Sequence, residues 1–244
     1  MKQGFFEIIE NTQLTESVYK MTLSGDVSAI TAPGQFVNIK LDGLYLRRPI
    51  SVCDVSADRL TIIYKVVGKG TQQLSQMTCG TLDVLTGLGN GYDLSVSGDK
   101  PVLLGGGVGV PPMYLLAKQL IKQGKQVKVI LGFNTCEEVF YEDAFKALGA
   151  DVTVTTVDGS YGVKGFVTDA LKDIAYTYFY TGGPEPMLKA VYKASKTSGQ
   201  MSFEKRMGCG FGACMGCSCK TITGYKRICK EGPVMRKEEI LWED

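Results

Sequence analysis

The spacing of apolar residues changes once along the chain, near Pro101, and this change limits the possible folds more than any other feature. Before it, six short segments alternate apolar and polar residues between turn-forming residues, which is the pattern of antiparallel strands. These segments are FFEIIE, VYKMTLSG, GQFVNIKL, LRRPISV, LTIIYKVV and TLDVLTGL. Six such strands joined by turns predict a small antiparallel barrel over residues 1–98.

After Pro101, strand patterns and helix patterns alternate. The five apolar strand candidates are VLLGGG, QVKVILG, DVTVTT, YTYFYTGG and QMSFEK. The helical patterns between them are PPMYLLAKQLIKQG, EEVFYEDAFKALG, GFVTDALKD and PEPMLKAVYKASKTSG. This alternation predicts right-handed βαβ units and a five-stranded parallel α/β domain over residues 99–206. Both patterns end near Met207, which leaves residues 207–244 as a small third domain.

Five of the eight cysteines lie close together in GCGFGACMGCSCKTITGYKRIC, residues 208–229. Cys209, Cys214 and Cys217 have the spacing C-x4-C-x2-C and are followed by a more distant cysteine, which is the plant-type pattern of a [2Fe–2S] cluster. The interleaved glycines allow a tight loop to turn and to direct backbone N–H groups at sulfur. The alternative is structural zinc, which usually takes two C-x2-C pairs, whereas this sequence has one.

The fourth cluster ligand is either Cys219 or Cys229. Cys217 and Cys219 are two residues apart, so in an extended chain both would approach the cluster from the same side. The segment KTITGYKRIC predicts a hairpin that returns Cys229 from a second strand. We therefore predict Cys229 as the ligand and Cys219 as a packed thiol. The other three cysteines are isolated and are expected in the core: Cys53, Cys79 and Cys136.

The chain contains no histidine. This excludes enzymes and sites that depend on imidazole, among them Ser-His-Asp hydrolases, Cys-His proteases, Rieske centres and His-ligated zinc. Hydride and electron transfer need no proton shuttle near neutral pH, so they suit such a sequence. We accordingly predict no catalytic acid or base.

The formal net charge of +2 gives no indication of a nucleic acid or a membrane surface as partner. The N-terminal sequence MKQGFFEIIE lacks the apolar stretch and the cleavage site of an export signal. We therefore expect a cytoplasmic protein, in which cysteines stay reduced and serve as ligands.

Two glycine-rich turns follow strand candidates in the second region. The first lies in VLLGGGVGVPPMYLLAK and contains Gly105, Gly106, Gly107 and Gly109. Glycines between a strand and a helix let the backbone approach a pyrophosphate, which the helix N-terminus then binds. The run departs from G-x-G-x-x-G because Pro112 stands where the third glycine would be, so a tight structural turn is the alternative. A second turn, Gly182-Gly183 in YTGGPEPM, favours a dinucleotide crevice.

The loops after the second and third parallel strands bear on the choice between NAD and NADP. They read Asn134-Thr135-Cys136-Glu137-Glu138 and Asp158-Gly159-Ser160, with acids and no arginine. Because a 2′-phosphate favours the arginine fork, these loops predict NAD. The alternative is that these acids are solvated loop residues.

The barrel region carries a weaker signal. Arg48-Pro49-Ile50-Ser51 lies in the fourth strand candidate, followed by Tyr64-Lys65-Val66 and by Gly70-Thr71, which opens a short helical pattern. An arginine and a helix N-terminus together could hold a second pyrophosphate. The alternative is a surface arginine beside an ordinary helix cap.

In combination these motifs resemble a known family nearly end to end. They are RRPIS, KVVGKGT, LLGGGVGVPP, DGSYGVKGFVTD, YTGGPEPML and EKRMGCGFGACMGCSCK with a later cysteine. The chain resembles the ferredoxin-reductase-like flavoproteins and, among them, the electron-transfer subunits of NAD-dependent class B dihydroorotate dehydrogenases. Ile50 departs from the wider family, which commonly has a tyrosine there that stacks on the flavin, but it suits this subfamily.

The resemblance implies where three cofactors bind. FAD would lie on the barrel, with Arg48 at its phosphates, Pro49, Ile50 and Ser51 at the flavin, Tyr64, Lys65 and Val66 near the ribityl chain, and Gly70 and Thr71 at the pyrophosphate. NAD would bind at Gly105, Gly106, Gly107 and Gly109 and at Gly182 and Gly183. A [2Fe–2S] cluster would be held by Cys209, Cys214, Cys217 and Cys229.

The resemblance also implies a function and a partner. Electrons from dihydroorotate, oxidised at the FMN of a separate catalytic subunit, would pass through the cluster and FAD to NAD+, in pyrimidine (UMP) biosynthesis. The assembly would be a heterotetramer with two copies of each chain. The alternatives are a related subunit of an NADH/ferredoxin:NADP oxidoreductase, a sulfite reductase or a hydrogenase, and a non-enzymatic binding module stabilised by zinc.

Overall fold

The computed structural model describes residues 1–242 and begins with a closed barrel of six antiparallel strands. The strands are β1 (Lys2–Gln13), β2 (Val18–Ser24), β3 (Phe36–Lys40), β4 (Arg48–Ser56), β5 (Arg59–Lys65) and β6 (Thr81–Leu88), and helix α1 (Lys69–Ser75) follows β5. Their order around the barrel is β1-β2-β5-β4-β3-β6. The predicted six-stranded barrel is therefore confirmed.

Strand β3 is buried on both of its faces. Val37 and Ile39 point into the barrel core, as the two-residue repeat of a strand requires. Phe36, on the opposite face, packs instead in a core that the barrel shares with the rest of the molecule. This strand thus separates the barrel interior from the regions that follow in sequence.

The second region is a sheet with strand order β10-β9-β8-β7-β11-β12 flanked by helices. Its elements are β7 (Pro101–Gly106), α2 (Pro111–Lys122), β8 (Lys128–Phe133), α3 (Glu142–Ala147), β9 (Asp151–Thr156), β10 (Val163–Lys164), α4 (Val167–Leu171), β11 (Tyr178–Gly182), α5 (Glu185–Ala194) and β12 (Gly199–Ser202). All pairs among these strands are parallel. The five predicted strands form the centre, and the short β10 adds a sixth that is too brief to leave a periodic signal.

The helix predicted from EEVFYEDAFKALG is wrong in its first half. Residues 136–138 form a single 3-10 turn, and Tyr141 then adopts a left-handed φ of 68° before α3 begins. The aromatic side chains account for the break. Phe140 packs against Phe133 with ring centroids 5.4 Å apart, and Tyr141 packs against Tyr114 at 5.2 Å, which holds this stretch out of a helix.

The last region begins with residues 203–217, which contain neither helix nor strand. The predicted hairpin follows as β13 (Ser218–Thr221) and β14 (Gly224–Arg227). Strand β15 (Val234–Arg236) then pairs antiparallel with β12 and becomes the seventh strand of the sheet. The prediction of five strands therefore omitted both edges, because β15, like β10, is too short for its periodicity to be read.

No helix within residues 1–242 has the length and apolar character needed to cross a bilayer.

Candidate nucleotide, flavin and cluster sites

The two predicted glycine turns lie side by side at the carboxyl edge of the sheet. Gly105 pairs in register with Gly182, because β7 and β11 are neighbouring parallel strands. Residues 107–109 form one 3-10 turn, and α2 begins directly after it with its N-terminus at this edge. The structure thus brings both turns to the crevice where dinucleotides bind in open parallel sheets.

The backbone fit at this crevice requires glycine at position 109. A Cβ on Gly109 would overlap the carbonyl group of Gly182, and one on Gly106 would overlap the sulfur of Met187. Thr181 is fully buried at the same strand end, and its Oγ has no hydrogen-bond partner within residues 1–242. A side-chain-free turn, a helix N-terminus and a spare hydroxyl fit a dinucleotide.

One barrel residue fixes the crevice from the other side. Tyr92 is buried, and its hydroxyl donates a 3.0 Å hydrogen bond to the carbonyl oxygen of Thr181. Its ring also meets Tyr180 edge-on, with centroids 5.5 Å apart. The crevice is therefore positioned against the barrel by buried contacts.

The loops after β8 and β9 form an acidic rim at the same edge. The hydroxyl of Ser160 accepts a 2.8 Å hydrogen bond from the backbone N–H of Cys136 and donates a 2.7 Å bond to Asp158. Glu138 accepts two hydrogen bonds from Asn134. The N–H and hydroxyl of Ser160 lower the pKa of Asp158, so this carboxylate stays charged at neutral pH. The charge of this rim opposes a phosphate group.

On the barrel, the structure brings Arg48, Gly70 and Thr71 together. The guanidinium of Arg48 lies so close to Gly70 that a Cβ there would overlap it. The hydroxyl of Thr71 accepts hydrogen bonds from the backbone N–H groups of Val67 and Gly68, at 2.9 and 3.2 Å, which fixes the start of α1. A cation beside a rigid glycine turn fits a pyrophosphate.

The remaining barrel candidates divide by strand face. Pro49, Ile50 and Ser51 are half-buried on β4. Tyr64 points into the barrel core, where its hydroxyl donates a 3.0 Å hydrogen bond to Asn11 and burial raises its pKa to about 12. Only the backbone of Tyr64 can therefore meet a cofactor.

The residues that follow Tyr64 in the same motif face the nucleotide sheet or are already bonded. Lys65 is exposed and lies 4.0 Å from Glu138 of the acidic rim. The N–H of Val66 is used by a 2.8 Å hydrogen bond to the carbonyl oxygen of Ser17.

Residues 208–217 form a loop, called the cluster loop below, in which the sulfur of Cys209 accepts hydrogen bonds from the backbone. The N–H groups of Ala213 and Cys214 lie 3.2 and 3.5 Å from it. Burial raises the pKa of this thiol, but these donors and the N–H of Phe211 outweigh burial and lower it to about 6. Because one of these donors is the N–H of Cys214 itself, Cys209 and Cys214 form one pair.

Cys217 and Cys229 form a second pair, which is buried. The backbone N–H of Cys229 lies 3.4 Å from the sulfur of Cys217. Burial, together with the neighbouring Cys217 thiol, raises the pKa of Cys229 to about 12. Within residues 1–242 no three acidic or thiol side chains converge as ligands of a single metal ion. Two thiol pairs with N–H groups directed at sulfur fit a cluster of two irons.

Cys219 is set apart from both pairs. It lies on β13 with its sulfur 4.0 Å from that of Met235, and it packs against the core shared with the sheet. Of the isolated cysteines, Cys53 is buried as expected, whereas Cys79 and Cys136 are exposed. That expectation was wrong for these two because both lie at turns, outside the strands that form the core.

Sequence reasoning missed two residues that hold the cluster loop. Arg227 donates a 2.6 Å hydrogen bond to the carbonyl oxygen of Gly212 and forms an ion pair with Glu231. Asn38 of β3 donates a 3.2 Å hydrogen bond to the carbonyl oxygen of Cys209. The available signal for Asn38 was a lone amide among the apolar residues of strand FVNIK, Phe36, Val37 and Ile39.

Two family models match the chain. The iron-sulfur cluster binding domain of dihydroorotate dehydrogenase B matches residues 204–241, and the oxidoreductase NAD-binding domain matches residues 103–193. Among curated relatives, the dihydroorotate dehydrogenase B (NAD(+)) electron transfer subunit of Bacillus pumilus is 44% identical over 98% of each chain. That of Fusobacterium nucleatum is 45% identical over 95% of each chain.

Solved structures share this architecture over most of the chain. An NADH-dependent reduced ferredoxin-NADP oxidoreductase has a TM-score of 0.88 and 31% identity, over 98% of this chain and 90% of that chain. A ferredoxin NADP+ reductase from Neisseria gonorrhoeae with bound FAD and NADP has a TM-score of 0.70 and 20% identity, over 80% and 90%. The second likeness shows a common fold.

Proposed function

Because the chain belongs to the family of dihydroorotate dehydrogenase B electron-transfer subunits, we propose that it carries electrons from dihydroorotate oxidation on a partner subunit to NAD+, in pyrimidine biosynthesis. It is an NAD-linked oxidoreductase subunit whose cofactors are FAD, a [2Fe–2S] cluster and NAD. The observation that carries this proposal is the sequence identity to such subunits, 44% and 45% over nearly the full length of the chain.

The division of labour between the cofactors explains why the chain needs no histidine. When bound, the cluster exchanges electrons singly and the flavin links these to the electron pair that nicotinamide accepts as hydride. The protein binds and orients these groups. None of its side chains is required as a proton donor.

On the barrel we propose that FAD is held by the residues brought together at β4 and α1. Arg48 neutralises the diphosphate beside Gly70 and Thr71, and Pro49, Ile50 and Ser51 meet the flavin along β4. The backbone of Tyr64, Lys65 and Val66 contributes to the ribityl region. The position of the Arg48 guanidinium beside Gly70, at the start of α1, supports the phosphate assignment.

In the sheet we propose that NAD binds across the two glycine turns, at Gly105, Gly106, Gly107 and Gly109 and at Gly182 and Gly183. The N-terminus of α2 supplies donors to the pyrophosphate. The acidic rim around Glu138 and Asp158 supports NAD over NADP, because a 2′-phosphate would meet carboxylates there.

For the cluster we propose Cys209, Cys214, Cys217 and Cys229 as ligands. The two thiol pairs support this set, and the position of Cys219 against Met235 supports its exclusion.

We propose that the partner carries FMN and that two copies of each chain form a heterotetramer. Exposed apolar side chains surround the cluster loop and its hairpin, and they support docking of the partner there: Phe211, Met215, Ile222 and Tyr225. The cytoplasm is the proposed compartment, because none of the eight cysteines forms a disulfide and thiols stay reduced there.

The likeness to an NADH-dependent reduced ferredoxin-NADP oxidoreductase favours a second candidate, a subunit of a complex of that kind. Its 31% identity is lower than the 44% and 45% identity to dihydroorotate dehydrogenase B subunits, so the first candidate is the better supported.

The test begins with visible and paramagnetic-resonance spectra of the purified protein before and after NADH. We expect flavin and cluster signals that NADH bleaches. Protein depleted of iron should still reduce dyes with NADH through the flavin, but it should fail to exchange electrons with the catalytic partner. Full partner activity without iron would refute the route, and copurification of a different partner would favour the second candidate.

A further inference from the structure

Asn38 lies between the two sites that must exchange electrons. It is 1% exposed on β3, and its side-chain amide donates a 3.2 Å hydrogen bond to the backbone carbonyl oxygen of Cys209, from 171 residues away in sequence. Cys209 begins the cluster loop. A single barrel side chain thus bonds directly to the backbone of the first proposed ligand.

The same side chain shares a face with the proposed flavin site. Asn38 pairs with Pro49 in the register of β3 and β4. Residues directly opposite in an antiparallel ladder point to the same face, with Cβ atoms about 5 Å apart. Asn38 therefore contacts the cluster loop from a position directly opposite Pro49, on the strand that we propose for the flavin.

The amide has one polar atom to spare. The carbonyl oxygen of Cys209 accepts only, so the nitrogen of Asn38 must face it, and this fixes the orientation of the amide. The oxygen, which diverges from the nitrogen, is buried and has no partner within residues 1–242. A buried acceptor of this kind is costly unless a bound group supplies a donor.

The loop fits closely on the amide. Gly210 has a left-handed φ of +77°, and a Cβ there would overlap the nitrogen of Asn38. On the other side, Arg47 donates a 3.3 Å hydrogen bond to the backbone carbonyl oxygen of Asn38 and pairs with Asp83 at 2.8 Å. The contact is thus held from both ends.

We propose that Asn38 is a positioning residue that fixes the cluster loop against the flavin-binding strand pair β3–β4, and so sets the rate of electron exchange between the two sites. The side chain itself neither gains nor loses an electron. This inference rests on the cofactor positions of the proposed function.

The test uses the complete chain, loaded with its cofactors and co-expressed with its catalytic partner. Asn38→Leu keeps the size of the side chain and removes the donor. Asn38→Asp keeps the shape and replaces the donor by an acceptor, so it provides a second variant if the first fails to take up iron. The matched control is Asn90→Leu, because Asn90 also ties the barrel to the last region, through hydrogen bonds of 2.7 Å to Val234 and 3.1 Å to Glu231.

In the Asn38 variants we expect flavin reduction by NADH at the wild-type rate, but cluster reduction slower by about tenfold or more, since small misplacements have effects of that order. The paramagnetic-resonance spectrum of the reduced cluster and the visible spectrum of the flavin should also change. Asn90→Leu should lower the melting temperature while both spectra and both rates stay at wild-type values.

Wild-type spectra and wild-type cluster reduction in an Asn38 variant with full cofactor content would overturn the inference. Equal slowing in Asn90→Leu would also overturn it, because general loosening would then suffice. Failure of the proposed function is distinguishable, since the wild-type chain would then lack flavin or cluster signals, or Cys209→Ser would keep the cluster.

Discussion

The nucleotide crevice and the cluster loop are both rich in glycine, but their glycines serve different purposes. At the crevice, Gly109 and Gly182 end regular elements, and their backbones touch because the sheet packs them together. In the loop, Gly210 and Gly212 have left-handed φ values of 77° and 93° within a stretch that contains neither helix nor strand. The crevice is therefore shaped by the fold, whereas the loop is shaped by its thiols and by a few side chains that hold it.

Removal of one thiol from the buried pair tests this contrast most severely. We expect Cys217→Ser or Cys229→Ser to abolish the cluster signal and electron exchange with the partner, because the loop then lacks a ligand. NADH-dependent dye reduction should persist, since the crevice does not depend on the loop. Cys219→Ser is the matched control and should keep the cluster. Retention of the cluster in Cys229→Ser would refute our ligand set.

A single methyl group added at Gly109 should distort the crevice and weaken NADH binding. Gly109→Ala places a Cβ against the carbonyl group of Gly182, and overpacking of this kind costs about 1–3 kcal/mol. We expect weaker NADH binding, on the order of tenfold, measured by titration of flavin reduction. The control is Gly124→Ala, where φ is positive at +78° but the Cβ meets no atom within 4 Å. It should cost about 1 kcal/mol of stability and leave NADH binding unchanged.

The acidic rim makes a smaller contribution to the crevice. Glu138→Arg replaces a carboxylate by a guanidinium that can bind a 2′-phosphate. We expect the ratio of kcat/KM for NADH to that for NADPH to fall by about tenfold, equivalent to about 1.4 kcal/mol. The charge reversal Asp173→Arg, on an exposed site after α4, should leave the ratio unchanged. An unchanged ratio in Glu138→Arg would remove the rim from the selection of the nucleotide.

The smallest expected effect concerns the support behind the loop contact. Burial of Asp83 raises the pKa of its carboxyl, but Arg47 and Gln3 outweigh burial and hold the pKa below its usual value of 3.8. A lowered native pKa gives stability that is complete above the unfolded value and is lost as the pH falls below it. Asp83→Asn should therefore cost about 1 kcal/mol at pH 7 and lose less stability than the wild type between pH 5 and pH 3. Urea unfolding at these pH values measures the difference, and parallel acid curves would contradict it.

The strands and helices that repeat along the chain could mostly be predicted from the sequence. Alternation predicted the barrel strands, and strand–helix alternation predicted the central parallel strands. The segment after Cys217 predicted the hairpin β13–β14 that returns the chain to Cys229, and the ligand set read from the cysteine spacing stays a prediction. Such features repeat or lie close along the chain, so short-range sequence patterns carry them.

The missed features depend on tertiary contacts. Asn38 reaches Cys209 across 171 residues, which no local pattern can reveal. The break before α3 arises from Tyr141 and Phe140, whose packing overrides a helical pattern. The inward side chain of Tyr64 follows from strand register, which motif matching does not consider.

The pairing of β15 with β12 has a mechanical consequence. Because β12 precedes the iron–sulfur segment and β15 follows it, the pairing of these two strands holds both ends of the segment at the edge of the nucleotide sheet. This arrangement favours a catalytic partner that docks at the cluster over a cluster segment that moves between sites.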